Sequence, residues 1–150
     1  MSSDEARRLY QSLILEHGRA PHNYHKLEDA THTLEGNNPL CGDRYVLQLR
    51  IQDDHIEDAA FEGHGCAISM ASASMMTDLI KSLSCEQAQT LFAQFQRITQ
   101  GEPVLSESLP EELKAFSGLA EYPARIKCAN LIWYTLQATL TQQNEPVSTE

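Results

Sequence analysis

A short loop, Pro39-Leu40-Cys41-Gly42-Asp43, constrains the fold of this chain more than any other stretch. A thiol and a carboxylate two residues apart are both metal ligands, but two ligands do not complete a metal site. Two further cysteines are suitable partners, Cys66 after a Gly-His-Gly segment and Cys128 after Arg125-Ile126-Lys127. If the loop holds a metal, the fold must therefore bring three distant segments together.

Length and composition limit the classes of protein that need to be considered. At 150 residues and 41% hydrophobic residues, the chain is large enough for one globular domain with its own core. Its net charge of −10 argues against binding to nucleic acid or to an anionic membrane. We expect it to meet small substrates, or proteins with basic docking surfaces.

The first residues are polar and acidic, and no apolar run has the length needed to cross a bilayer, so we expect a cytoplasmic protein. The four cysteines contain no CxxC pair. In a reducing compartment, scattered cysteines are more often buried, metal-binding or catalytic than paired in disulfides.

Hydrophobic periodicity predicts an α+β fold, with a small three-stranded antiparallel sheet packed against helices. Residues 1–142 form the single predicted domain, and residues 143–150 a disordered tail. The predicted helices cover residues 3–17, 67–82, 85–101, 108–116 and 123–141, and the strands cover 31–34, 45–51 and 56–62. Turns are predicted at 36–39 and 52–55, with a further connection at 118–122.

Two Ser-x-x-(Gln/Glu) patterns, Ser84 to Gln87 and Ser108 to Glu111, predict helix capping boxes. Three histidines, His17, His22 and His25, lie at irregular spacing in and beside a polar connection. Irregular spacing of this kind is typical of solvated side chains, and we do not assign these histidines to a metal site.

The cysteines differ in their local surroundings. Cys41 lies in a Pro/Gly loop, which favours an exposed thiol. Cys66 lies at the predicted start of a helix, where backbone N–H groups stabilise a thiolate. Cys128 follows Arg125 by one helical turn. Cys85 is also near a helix start, but it has no glycines around it and is interpreted as a small packing residue.

Three thiolates and Asp43 would suit one tetrahedral Zn²⁺ ion. A site so rich in negative charge needs cations or N–H groups around it, and Arg125, Lys127 and Arg44 are the candidates. The carboxylate in a glycine-flanked loop is easier to replace than a fourth sulfur or nitrogen ligand. This donor set therefore indicates a labile, chemical site rather than a purely structural one.

The three cysteine motifs resemble those of the IscU/SufU family of iron–sulfur cluster assembly proteins, in type and in order. The segments that carry the resemblance are Asn38-Pro-Leu-Cys-Gly-Asp43, Gly63-His-Gly-Cys-Ala-Ile-Ser69 and Ala124-Arg-Ile-Lys-Cys-Ala129, with a similar opening helix. The resemblance extends from about residue 5 to 140, and it implies a SufE/IscU-like fold.

Within the family, the chain is more similar to SufU than to IscU. Lys127 stands where IscU proteins carry a histidine, the chaperone-binding Leu-Pro-Pro-Val-Lys segment is missing, and the stretch between Cys66 and Cys128 resembles a SufU insertion. The resemblance implies Zn²⁺ held by Cys41, Asp43, Cys66 and Cys128.

The resemblance also implies a SufS-type cysteine desulfurase partner, with Cys41 as acceptor of persulfide sulfur. Zinc would guard the Cys41 thiolate until docking on the desulfurase releases it, and Arg125 would stabilise the anionic sulfur. The chain would then act as a sulfurtransferase-like carrier and desulfurase activator, supplying a downstream scaffold complex.

Two alternatives remain open from the sequence. The same four ligands suit iron, so the chain could be a scaffold for a transient iron–sulfur cluster. It could also be a non-catalytic interaction protein with a structural zinc, in which case removal of the metal would unfold it.

Overall fold

The computed structural model describes residues 3–40, 42–102, 110–141 and 147–148, and confirms the α+β architecture. Within these ranges the helices are α1 Ser3–Arg19, α2 Ala67–Ile80, α3 Cys85–Thr99, α4 Glu111–Lys114 and α5 Pro123–Leu140. The strands among the described residues are β1 His32–Asn38, β2 Asp43–Gln52, β3 His55–His64 and β4 Val147–Ser148, and a 3₁₀ helix spans Ala115–Glu121. None of the helices in the described part of the chain is both long and apolar enough to span a membrane.

The sheet has the order β3-β2-β1-β4, and its three main strands are antiparallel, as the sequence predicts. β2 and β3 are joined by a two-residue turn at Asp53 and Asp54, whose positive φ angles of 52° and 66° suit the twist of a hairpin. Alternation along β2 places Tyr45, Leu47 and Leu49 on the fully buried face. The hydrophobic core lies between this face and the helices.

Helix α2 packs closely in the centre of the molecule because its small side chains let neighbours approach. Ala71, Ser72 and Ala73 are all buried. The Ser72 hydroxyl donates a hydrogen bond to the Ala129 carbonyl of α5 at 2.6 Å and accepts one from Trp133 Nε1 at 3.0 Å. The small residues thus explain how two helices pack side by side under the sheet.

Strand β1 is longer than the sequence predicts, because it runs through the predicted turn at 36–39 as far as Asn38. A side chain at Gly36 would place its Cβ 2.0 Å from Thr135 Oγ1 of α5. Glycine is therefore needed here for close packing of a helix on a strand, rather than for a turn.

The tail differs from its prediction at two residues. Val147–Ser148 form β4, which pairs in parallel with Gly36–Asn37 on the outer side of β1. An edge strand offers unpaired N–H and C=O groups, and such an edge can take up a passing segment of chain. Residues 143–146 and 149–150 of the predicted disordered tail lie outside the described residues.

Other boundaries follow the sequence with local corrections. The capping box of Ser84 and Gln87 is confirmed, with Ser84 Oγ accepting from Gln87 N at 3.0 Å. The second predicted box cannot be followed, since Ser108 lies outside the described residues. The predicted connection at 118–122 is wrong for most of its length, because the 3₁₀ helix continues to Glu121.

Candidate metal centre

The connection between β1 and β2 presents Asp43 at the first residue of β2, paired with Asn38 across the ladder. Asn38 is buried and organises this connection: its carbonyl accepts from Gly42 N at 2.9 Å, and its side-chain Oδ1 accepts from Leu40 N at 3.2 Å. Gly42 has φ +76°, an angle that glycine adopts without strain. Cys41 belongs to this connection but lies outside the described residues.

Cys66 caps the N-terminus of α2, as its position after a glycine-rich segment predicts. Its Sγ accepts from the backbone N–H of Ser69 at 3.5 Å. Its own N–H donates to Asp43 Oδ1 at 2.9 Å, and its Sγ lies 3.9 Å from Asp43 Oδ2. The start of α2 and the start of β2 are thereby joined through a thiol and a carboxylate.

Cys128 lies in the second turn of α5 and is 5% exposed. One ligand atom each from Asp43, Cys66 and Cys128 lies within 4.8 Å of the other two. Three of the four ligands predicted from sequence are thus brought together from a strand and two helices.

The residues present fit a zinc ion by the chemistry of their donors. Two thiols and a carboxylate are ligands of Zn²⁺, and Zn–S and Zn–O bonds of about 2.3 Å and 2.1 Å in a tetrahedron separate the sulfur from the oxygen by about 3.6 Å. The Cys66 Sγ to Asp43 Oδ2 distance of 3.9 Å is already close to that spacing. When ionised, the three groups would repel one another unless a cation lay between them.

The three candidate cations differ in their surroundings. Arg44 is directed to Glu35 on β1, with Nη2 at 2.5 Å and Nε at 2.7 Å from Glu35 Oε1. Arg125 and Lys127, in the first turns of α5, are exposed and make no ion pair with a side chain in the described part of the chain. These two side chains are therefore available to a partner molecule.

Sequence reasoning missed two residues beside the centre, Tyr45 and Ser69, and marked Gly65 only as part of the Gly-His-Gly segment before Cys66. The Tyr45 hydroxyl lies 2.7 Å from Ser69 Oγ, and both side chains are fully buried. Burial raises the pKa of Tyr45, so its hydroxyl stays protonated. A Cβ at Gly65 would lie within 2.6 Å of Ser69 Oγ, Tyr45 OH and Asp43 Oδ1. The signals available were the Cys-x-x-Ser spacing of an N-cap and the inward alternation of Tyr45.

Cys85, which the sequence analysis set apart from the metal ligands, lies at the first residue of α3 and outside the cluster. Burial, and then the neighbouring Asp54 carboxylate, raises the pKa of the Cys85 thiol. A raised pKa disfavours the thiolate and thus opposes a role as nucleophile or ligand.

The prediction of solvated histidines is wrong for His17. His17 lies in the last turn of α1 and is 7% exposed, with Nδ1 2.6 Å from Ser74 Oγ of α2. Its ring centroid lies 4.5 Å from that of His22, whose Nδ1 lies 2.5 Å from Asp78 Oδ2. The histidines therefore dock α1 and the following segment on α2.

Comparison with known proteins identifies a family, several relatives and solved structures to which this chain is similar. The family described as NifU-like N-terminal domain matches residues 9–129. The zinc-dependent sulfurtransferase SufU of Bacillus subtilis is 40% identical over 135 residues, covering 90% of this chain and 91% of that protein. The iron–sulfur cluster assembly scaffold protein IscU of Streptococcus pyogenes is 36% identical over 140 residues, covering 93% and 87%. The crystal structure of the SUF-system protein FiSufU from Fervidobacterium islandicum is similar with a TM-score of 0.82 and 31% identity, covering 89% and 98%.

Proposed function

Because the chain belongs to the family of NifU-like N-terminal domains, we propose that it is a zinc-holding sulfur acceptor in iron–sulfur cluster assembly. In this proposal it takes persulfide sulfur from a SufS-type cysteine desulfurase through Cys41, and passes it to a downstream scaffold complex. The relatives at 36–40% identity are SufU and IscU proteins, which supports a place in cluster assembly.

The observation that carries the proposal is the convergence of Asp43, Cys66 and Cys128 within 4.8 Å. Cys41 is the proposed fourth ligand. Consecutive Cα atoms are about 3.8 Å apart, so covalent geometry keeps any residue two positions from Asp43 within about 7.6 Å of it, Cα to Cα. A thiol on that short tether can reach the other three groups.

Bound Zn²⁺ would lower the pKa of the coordinated thiols and hold them as thiolates at neutral pH. The rest of the chemistry belongs to Cys41. Its thiolate attacks the outer sulfur of the desulfurase persulfide, forming a new S–S bond. The S–S bond within the enzyme's persulfide breaks, and the enzyme's cysteine leaves as a thiolate. The outer sulfur keeps its proton, so atoms and charge balance without an added oxidant.

We assign Arg125 to the stabilisation of the anionic sulfur during this transfer. It lies one helical turn before Cys128, so both point to the same side of α5. Its guanidinium is exposed and makes no ion pair among the described side chains, which leaves its donors available when a partner docks. Guanidinium donors form stronger hydrogen bonds to anions than to neutral acceptors.

A second candidate function is a scaffold on which a transient iron–sulfur cluster is built. The IscU relatives favour it, and a set of three cysteines and one aspartate also suits iron. Metal analysis and an anaerobic ultraviolet–visible spectrum separate the two functions. We expect one zinc per chain and no sulfur-to-iron charge-transfer bands.

The transfer function is tested by measuring desulfurase turnover with the wild type, Cys41→Ala and Cys85→Ala. We expect the wild type and Cys85→Ala to stimulate turnover equally, since Cys85 lies outside the cluster. Cys41→Ala should bring turnover back to the level of the enzyme alone. Full stimulation by Cys41→Ala would exclude the carrier role, and unfolding on chelation in circular dichroism would favour a structural zinc protein instead.

A further inference from the structure

Two buried hydroxyl groups lie directly behind the proposed metal ligands. Ser69, in the first turn of α2, is 1% exposed, and Tyr45 on β2 is 0% exposed. Their oxygens are 2.7 Å apart. Neither is a metal ligand, and the transfer chemistry described above uses neither of them.

Ser69 faces the sulfur of Cys66 with two groups. Its backbone N–H points to Cys66 Sγ at 3.5 Å, and its Oγ lies 3.7 Å from the same sulfur, within reach of a hydrogen bond to sulfur. The Ser69 hydroxyl also lies 3.0 Å from the Cys66 carbonyl. It therefore has two alternative acceptors on one residue.

Coordination of a metal by Cys66, which would hold it as a thiolate, would decide between these acceptors. While Cys66 is a thiol, its S–H can donate to Ser69 Oγ, and the Ser69 hydroxyl donates to the Cys66 carbonyl. A thiolate has no proton to donate, and as an anion it is the stronger acceptor. The Ser69 hydroxyl can then turn to the sulfur, since the Cys66 carbonyl keeps its hydrogen bond from Met70 N at 3.0 Å.

Tyr45 makes this rotation possible. When Cys66 is a thiolate, the buried Ser69 oxygen no longer accepts a hydrogen bond from the Cys66 S–H. It then needs another donor. The Tyr45 hydroxyl at 2.7 Å supplies one in both states, because its phenol is held against Ser69 by a fully buried ring. The pair can thus keep its hydroxyl groups hydrogen-bonded both when Cys66 binds a metal and when it does not.

We propose that Ser69 is a positioning residue that anchors the Cys66 thiolate through its N–H and its hydroxyl, with Tyr45 as the donor that frees this hydroxyl. The inference rests on the proposed metal site. The proposal distinguishes two kinds of ligand: Cys66, which Ser69 holds in place, and Cys41, which lies in the short connection before Asp43. An anchored Cys66 keeps the metal in place while Cys41 reacts.

Zinc release to a colorimetric chelator tests the proposal, with the absorption of the cobalt-substituted protein as a second readout. Removing a group that supports a metal ligand weakens binding by a factor of about ten or more. We expect Ser69→Ala to release zinc about ten-fold faster and to shift the thiolate-to-cobalt absorption band. Tyr45→Phe, which leaves the Ser69 hydroxyl in place, should have an intermediate effect of about three-fold.

Ser72→Ala is the matched control. Ser72 is also 1% exposed on α2 and has two hydrogen-bond partners, but they are Ala129 and Trp133 rather than a ligand. We expect it to lose stability and to release zinc at the wild-type rate. A general loosening of α2 would instead accelerate zinc release in this variant as well, and that result overturns the proposal.

The double variant Tyr45→Phe/Ser69→Ala separates positioning from simple packing. It removes both hydroxyls, so no polar atom of the pair is left buried alone, and stability should recover relative to Ser69→Ala. Zinc release should stay about ten-fold faster. A return to the wild-type rate shows that Ser69 acts only through packing. Wild-type protein that binds no zinc refutes the proposed function itself, and the positioning role with it.

Discussion

Two polar clusters lie along the same helix, α2, and their polar groups are satisfied in different ways. The ligand cluster consists of Asp43, Tyr45, Cys66 and Ser69 at the N-terminal end of the helix, together with Cys128. The histidine cluster consists of His17, His22, Ser74 and Asp78, one to three turns further along. The ligand cluster is mostly buried, whereas in the histidine cluster His17 and Ser74 are buried and His22 and Asp78 are exposed. This difference indicates what each cluster is built to do.

The histidine cluster satisfies itself with its own donors and acceptors. Ser74 Oγ lies 2.6 Å from His17 Nδ1 and accepts from the His22 backbone N–H at 2.7 Å. The Asp78 carboxylate lies 2.5 Å from His22 Nδ1 and accepts from Asn23 Nδ2 at 2.8 Å. Such a cluster needs nothing from outside, so its role is to dock one segment of chain on another.

The ligand cluster brings acid groups together instead. Its thiols and carboxylate converge within 4.8 Å, and each becomes an anion when it loses its proton. Backbone N–H groups and two hydroxyls help to hold these side chains, but they supply no positive charge. The proposed zinc ion would supply the positive charge that these groups need when they are ionised.

The largest expected effect comes from breaking the ligand cluster with Gly65→Ala. The added Cβ would lie 2.4 Å from Ser69 Oγ and Tyr45 OH, and 2.6 Å from Asp43 Oδ1. Since all three side chains are buried, they can move only by disturbing the core, which costs about 2–3 kcal/mol. Urea unfolding of the wild type and of Gly65→Ala measures this loss in the free energy of unfolding.

Gly118→Ala is the control for that substitution. Gly118 lies in the 3₁₀ helix with nothing within 4 Å of the added Cβ. Its unfolding free energy should match the wild type within about 0.5 kcal/mol. If Gly65→Ala has the same free energy of unfolding as Gly118→Ala, the ligand cluster is loosely packed. The contrast drawn between it and the histidine cluster is then wrong.

The sequence predicted the ligand cluster better than the histidine cluster, and the reason is local. Cys66 is framed by glycines at a strand-to-helix junction, and alternation along β2 marks the buried face of the strand. These are properties of neighbouring residues. His17 carries no such mark, because its burial depends on Ser74, which lies 57 positions away in the chain.

Close approaches between elements were also invisible from local patterns. Gly36 was assigned to a turn by composition, but its lack of a side chain makes room for Thr135 on α5. Ser69 has the spacing of a capping residue, but its second role depends on Tyr45 on a different element. Sequence patterns can mark a residue as a glycine or a helix cap, but only the packing shows which distant residue it contacts.

A smaller effect, on pH dependence, should come from the histidine cluster alone. Burial, and then the neighbouring His22, lowers the pKa of His17 below its ordinary value of 6.5, although Asp78, Glu16 and Glu112 oppose the shift. The unfolded chain therefore takes up a proton at higher pH than the folded chain. The stability that neutral His17 provides is fully present above about pH 6.5 and is lost as the pH falls from that value through the lower pKa of His17 in the folded chain.

His17→Gln keeps an amide beside Ser74 but cannot titrate. We expect metal-free wild type to lose stability between pH 7.5 and pH 5.5 more steeply than metal-free His17→Gln. Metal-free protein is used because protonation of ligand thiols would otherwise release zinc in the same range. Equal slopes for the two proteins would mean that protonation of His17 is not linked to folding.

The smallest expected effect is that of Arg44→Ala, the cation next to the ligand cluster in sequence. Successive side chains of a strand point to opposite faces, so buried Asp43 and exposed Arg44 lie on different sides of β2. The Arg44 ion pair with Glu35 is largely exposed and contributes about 0.5 kcal/mol or less. Zinc release from Arg44→Ala should then remain within about two-fold of the wild type, because the sheet separates the guanidinium from the ligands. A ten-fold change in the rate of zinc release would show that charge on the outer face of the sheet affects the metal site. The ligand cluster would then include Glu35 on β1.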